Sequence, residues 1–132
     1  MPGGAIAVSP WTDMTQSGES FKTNAAHGPA KSYLDHWSGV YLAGVDPTHP
    51  YASPLFGELD ELPPLLIQVG GHETMLDDAS AFAAKAARAG CTVSLEVYAG
   101  QPHSFQHDVG TEDIAREAVE RMAEFVGRWT GT

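Results

Sequence analysis

Two short apolar runs with one amphipathic, helix-length segment between them constrain this chain more than any other feature. Leu65-Leu66-Ile67-Gln68-Val69 is entered through Pro63-Pro64 and left through Gly70-Gly71, the pattern of a strand buried on both faces. Val93-Ser94-Leu95-Glu96-Val97-Tyr98 alternates with period two, as expected of an outer strand with one more exposed face. Between them Ala79, Phe82, Ala83 and Ala86 fall at i, i+3, i+4 and i+7. Asp77 or Asp78 is placed to cap the start of that helix, and Gly90 to end it. Strand, helix, strand in this order is a βαβ unit, which requires parallel strands and a right-handed crossover.

The rest of the chain extends that unit. Ala5-Ile6-Ala7-Val8 is a further continuous apolar run, stopped by Ser9-Pro10. From about Glu112 to Trp129 a last helix gathers Ile114, Ala118, Met122, Phe125 and Trp129 on one face, with Glu112 and Asp113 favouring the positive end of its dipole. Trp11 to Pro63 carries one expected helix, about Ala30 to Leu42, set in long polar and Pro-rich connections of the kind that form lids or binding loops or else are disordered. The expected fold is α/β, with about three parallel strands and flanking helices in one domain spanning residues 1–132. A first strand apolar along its whole length needs cover on both faces and a partner at its edge. The sequence therefore reads as part of a wider sheet.

Composition removes several function classes. Seven basic residues against 17 acidic ones give a formal net charge of −10, and no basic stripe is present, which argues against nucleic acid. The single cysteine, Cys91, excludes an intrachain disulfide; in Gly90-Cys91-Thr92-Val93 it reads as a small buried hydrophobe at a strand entry. No apolar run reaches the length of a membrane span and the N-terminus lacks a signal-peptide pattern, so the expected compartment is the cytoplasm.

Chemistry is concentrated in two loops. Gly100-Gln101-Pro102-His103-Ser104-Phe105 follows the outer strand, and Gly70-Gly71-His72-Glu73-Thr74-Met75-Leu76-Asp77-Asp78 follows the buried one. In open α/β sheets functional groups collect at the carboxyl ends of strands, and neighbouring parallel strands set these loops side by side. An acid in the first can then hold the ring of His103 in the second, leaving the histidine to act as general base. On spacing alone, a solvent-exposed loop histidine beside a helix-capping acid is the favoured reading.

Beyond spacing, five segments stand in one order: Val8-Ser9-Pro10-Trp11-Thr12-Asp13-Met14-Thr15, Ser53-Pro54-Leu55-Phe56, Leu62-Pro63-Pro64-Leu65-Leu66-Ile67-Gln68-Val69-Gly70, Leu76-Asp77-Asp78-Ala79 and Gly100-Gln101-Pro102-His103-Ser104-Phe105-Gln106. Together they resemble the C-terminal portion of the hormone-sensitive-lipase-like carboxylesterases, a branch of the α/β-hydrolase fold, from about Pro2 to Trp129. The resemblance implies the C-terminal part of an α/β-hydrolase sheet and a small-molecule carboxylic ester as substrate. It puts the catalytic histidine on His103 and the acid thirty positions upstream on Glu73, with Asp77 as the alternative acid. Residues 20–50 are implied as a cap or lid contribution, in which Tyr33, Val40, Leu42 and above all Trp37 and Tyr41 would meet substrate. An amphipathic helix packed on the core is the competing reading of those five.

The resembled family also carries a Gly-x-Ser-x-Gly nucleophile elbow and a His-Gly-Gly-Gly oxyanion loop. No serine from Ser9 to Ser104 has glycine at both −2 and +2, and there is no His-Gly-Gly run. Both elements lie, by resemblance, ahead of the first strand, so the 132 residues are expected to be inactive alone. A non-catalytic interaction module and one half of a split hydrolase are the alternatives. In either, the first-strand edge would pair with a second copy of the chain or with a complementing N-terminal half. No cofactor is implied and no metal site is expected: His103 and His107 have i, i+4 spacing, but Pro102 opposes the helix that such ligands need. His27, His36, His49 and His72 are expected to be exposed and inert.

Overall fold

A computed structural model describes residues 2–131. Its elements follow the chain as β1 (Ala5–Val8), α1 (Ser20–Thr23), α2 (Lys31–Leu42), β2 (Leu65–Gly70), α3 (Leu76–Arg88), β3 (Val93–Tyr98) and α4 (Asp113–Thr130), with short 3₁₀ turns at Pro54–Phe56 and Phe105–Asp108. The three strands form one parallel sheet in the order β1-β2-β3. Ala5 lies beside Leu65 and Val8 beside Gln68; on the other side Leu65 meets Val93 and Gly70 meets Tyr98.

Burial along β2 follows from its central place. All six of its residues are buried, which alternation cannot give and two covered faces can. On one face Ile67 and Val69 pack with Ala79 and Ala83 of α3, joined by Ala7, Leu76, Phe82 and Val93. Small alanines on that helix let it lie close to the sheet. On the other face Gln68 reaches α4, donating from Nε2 to the Ala118 carbonyl at 2.8 Å and to Glu96 of β3 at 2.9 Å. Gln68 Oε1 in turn accepts the Gln106 side-chain amide, whose Nε2 donates to it at 3.1 Å. A buried amide in a central strand is tolerated because its donor and acceptor are both met. β3, at the sheet margin, leaves Leu95 and Val97 exposed, as its alternation implies.

The structure departs from the sequence reading at the start of α3. Asp77 and Asp78 do not cap it: the cap position is Met75, and both acids lie within the first turn. Their carboxylates instead hold segments far away in sequence. Asp78 Oδ2 accepts the backbone N–H of Thr12 at 2.7 Å and of Asp13 at 2.8 Å, and Asp77 Oδ2 accepts that of Ser20 at 2.9 Å. Cys91 is half-buried rather than buried, and its thiol donates to the Leu59 carbonyl at 2.9 Å. The connection between β1 and β2 carries the additional four-residue helix α1, too short to leave a periodic signal. It also runs against α3, where Lys85 Nζ donates to the carbonyls of Leu55 and Gly57.

Candidate active site

Three chain segments meet at the carboxyl ends of the strands. Two of them cross at Gly70: a Cβ there would stand 2.3 Å from the Gln101 carbonyl oxygen and 2.6 Å from that of Pro102. Only glycine lets the backbone leaving β2 pass under the backbone leaving β3. The crossing is tied by the Gly71 N–H to the Tyr98 carbonyl at 2.8 Å and the His72 N–H to the Gln101 carbonyl at 3.1 Å.

Glu73 and His103 meet above that crossing. Glu73 is fully buried, and its Oε2 lies 2.6 Å from His103 Nδ1. A carboxylate is an acceptor, so this contact selects the tautomer with the proton on Nδ1. The other carboxylate oxygen, Oε1, accepts the Ser9 hydroxyl at 2.5 Å and the Gly70 N–H at 2.8 Å. Three donors therefore surround one buried acid, the condition under which such a group is tolerated out of water. The His103 side chain keeps a third of its surface exposed, and Nε2 makes no hydrogen bond among the described residues. The backbone on either side is fixed as well: the His103 N–H donates to the His27 carbonyl at 3.3 Å, and Asn24 Nδ2 donates to the Glu73 carbonyl at 3.1 Å.

Beside this cluster lies a second set of acids. Asp13 is fully buried and accepts the N–H and hydroxyl groups of Thr15 and Ser17. Burial pushes its carboxyl up, but the Ser17 and Thr15 hydrogen bonds outweigh that and hold it below the ordinary aspartate value. Asp78 goes the other way. Burial raises it to about 6, opposed by the Asp13 and Thr12 N–H groups and reinforced by the charges of Asp13 and Asp77.

Of the residues singled out from sequence, the structure brings Glu73 and His103 together and keeps Asp77 apart, engaged with Ser20. Trp37 and Tyr41 sit on α2 with about half or more of their surface exposed; Tyr33 and Val40 are exposed too, while Leu42 is half-buried. No hydrogen bond or ring contact joins Trp37 or Tyr41 to Glu73 or His103 among the described residues. Tyr41 and Leu42 line, with Val45, His49, Tyr51 and Ala52, an open cavity of about 390 Å³. His27, His36, His49 and His72 are exposed, and the rings of His27 and His72 lie 5.4 Å apart. Sequence reasoning missed Ser9. Its only signal was its place directly after a buried apolar run, at the same carboxyl edge as the two loops.

Comparison with known proteins gives a consistent account. The family described as alpha/beta hydrolase fold matches residues 1–107. An acetyl-hydrolase of Streptomyces hygroscopicus is 39% identical over 135 residues, covering 99% of this chain and 44% of that protein. An esterase of Acinetobacter venetianus is 38% identical over 128 residues, covering 95% of this chain and 42% of that protein. Among solved structures, an esterase from the bacterial hormone-sensitive lipase family superposes with a TM-score of 0.93 at 42% identity, over 98% of this chain and 44% of its own. The chain thus spans less than half the length of the relatives it matches. No helix among the described residues is long and apolar enough to cross a membrane.

Proposed function

Because the chain belongs to the alpha/beta hydrolase fold family, we propose that it supplies the acid and the histidine of a serine carboxylesterase acting on small carboxylic esters. The observation that carries this reading is the 2.6 Å contact between buried Glu73 and the Nδ1 of partly exposed His103, made by loops at the carboxyl ends of adjacent parallel strands. Glu73 holds the imidazole in one orientation and tautomer and stabilises its cation. His103 Nε2 then takes the proton of an attacking serine hydroxyl and returns it to the leaving alcohol. Acid before histidine in chain order fits α/β hydrolases. The names of the relatives, esterase and acetyl-hydrolase, support the ester class.

The serine and the oxyanion donors are not among these 132 residues, which hold no Gly-x-Ser-x-Gly. In our reading they come from sequence outside this chain, either joined to it or on a second polypeptide that completes the sheet at the β1 edge. Residues 20–50 would then contribute to a cap, with Trp37 and Tyr41 turned to the acyl side of the substrate.

The test has two parts. The chain alone should hydrolyse p-nitrophenyl butyrate no faster than its His103→Ala variant. Grafted in place of the matching region of the Acinetobacter esterase, it should give an active chimaera. There His103→Ala should lower kcat by roughly 10⁶-fold and Glu73→Gln by roughly 10⁴-fold. His103-dependent hydrolysis by the isolated chain, or a chimaera indifferent to His103, would refute the assignment.

A further inference from the structure

Ser9 directly follows β1 and is the contribution of that end of the sheet to the acid–histidine cluster. Its backbone has φ of 46°, a left-handed conformation that residues with a Cβ rarely adopt, and Ser104, next to His103, has φ of 55°. These two left-handed serines are joined to each other. The Ser9 hydroxyl accepts the Ser104 N–H at 3.2 Å and donates to Glu73 Oε1 at 2.5 Å. One buried oxygen, in a residue 5% exposed, thus connects the β1 end to both site loops. Strained backbone persists where its surroundings over-determine it, and such residues collect at functional sites.

The consequence for Glu73 is geometric. Its Oε1 is held from two sides, by the Ser9 hydroxyl and the Gly70 N–H, so the carboxylate cannot turn about its terminal bond. Oε2 is left facing His103 Nδ1. The Gly70 contact alone is local, three residues from Glu73 in sequence, and moves with its own loop. The Ser9 contact comes from 64 residues away and also grips the residue after His103, so it sets one loop against the other.

We propose that Ser9 is a positioning residue of this site: its hydroxyl clamps the Glu73 carboxylate to the His103 loop and fixes the acid–histidine geometry from the β1 end. The inference rests on the roles given above to Glu73 and His103, but it can fail separately from them. The informative variant of the 132-residue chain is Ser9→Gly, which removes the hydroxyl while relieving the positive φ. Ser53→Ala is the control. It deletes an equally buried hydroxyl, which donates to the Pro47 carbonyl and accepts the Met14 N–H, away from the cluster.

The readouts are the His103 Nδ1–H proton resonance and amide hydrogen exchange at Ser104. In the unaltered chain a far-downfield Nδ1–H signal is expected. Ser9→Gly should move it upfield, speed its exchange with water, and lower Ser104 amide protection by about tenfold. Ser53→Ala should lower the melting temperature and leave both signals in place. If Ser9→Gly leaves both signals unchanged while Glu73→Gln abolishes the downfield resonance, the clamp is wrong and the acid–histidine pair stands. If Glu73→Gln also leaves the resonance unchanged, the pair itself is wrong, and the clamp falls with it.

Discussion

At Gly70 the two loops of the site cross with no room for a side chain, and the atoms in the way are backbone carbonyl oxygens rather than a movable side chain. Gly70→Ala must therefore push the Gln101-Pro102 segment away and carry His103 with it. We expect a loss of about 2–4 kcal/mol in urea unfolding, together with loss of the downfield His103 Nδ1–H signal. A stable Gly70→Ala protein with that signal intact would show that the loops do not constrain each other. Topology put the loops carrying Glu73 and His103 side by side at one edge of a parallel sheet, but it was the family resemblance that singled out these two residues within them. The role of Ser9 was not legible in the sequence. A serine after an apolar run reads as a strand terminator, and nothing local records that its hydroxyl meets residues 64 and 95 positions away.

The first turn of α3 shows the same limit at the scale of an element. Apolar periodicity gave the helix and its ending at Gly90, where φ is 90°, but the acids at its start read as caps. Three-dimensional context turned them into anchors for the strap between β1 and α1. That use has a pH signature. Asp78 is raised to about 6, above an unfolded value near 3.8, so the folded state binds its proton more tightly than the unfolded state does. Its ionisation therefore opposes folding above pH 6, and that opposition is relieved as pH falls through 6 toward 4. Asp13, held below the ordinary value, has the opposite sign: it stabilises above about pH 4, and the benefit is lost as pH falls further. Asn at position 78 resembles the protonated acid and keeps an oxygen for the Thr12 and Asp13 N–H groups. Asp78→Asn should thus be more stable than the unaltered chain at pH 7, by about 3 kcal/mol at most, and the gap should close by pH 4. Urea titrations of both proteins across pH 4–7.5 check this. A gap that is constant with pH, or that widens on acidification, would remove Asp78 as the titrating group.

On the scale of the whole molecule, the parallel pairing of β2 with β3 followed from the helix-length crossover between them, while the place of β1 beside β2 is supplied by the structure. What pattern could not supply was how charge is distributed over the finished surface. Seventeen acidic side chains face seven basic ones. Among the described residues the exposed ion pairs are Glu19–Lys22, Lys31–Asp35, Asp113–Arg116 and Arg121–Glu124, and Arg121 also meets the half-buried Glu96. Pairs this exposed contribute little, since water screens them and ordering two long side chains opposes them. Lys85 spends its charge on two backbone carbonyls. Most of the acidic surface is therefore left to repel itself, and two effects of added salt compete: weakening the few pairs and damping the general repulsion. With a net charge of −10 the second should win. Raising NaCl from about 0.02 M to about 0.3 M shortens the screening length from roughly 20 Å to roughly 6 Å, which separates surface carboxylates electrostatically while leaving the buried Glu73 cluster nearly untouched. Stability to urea, a denaturant that adds no ions of its own, should rise by on the order of 1 kcal/mol over that range. The His103 Nδ1–H resonance should not move over the same range, because its partner is fully buried. Stability that falls with salt would mean that the exposed pairs on α2 and α4 carry more of the fold than their exposure implies.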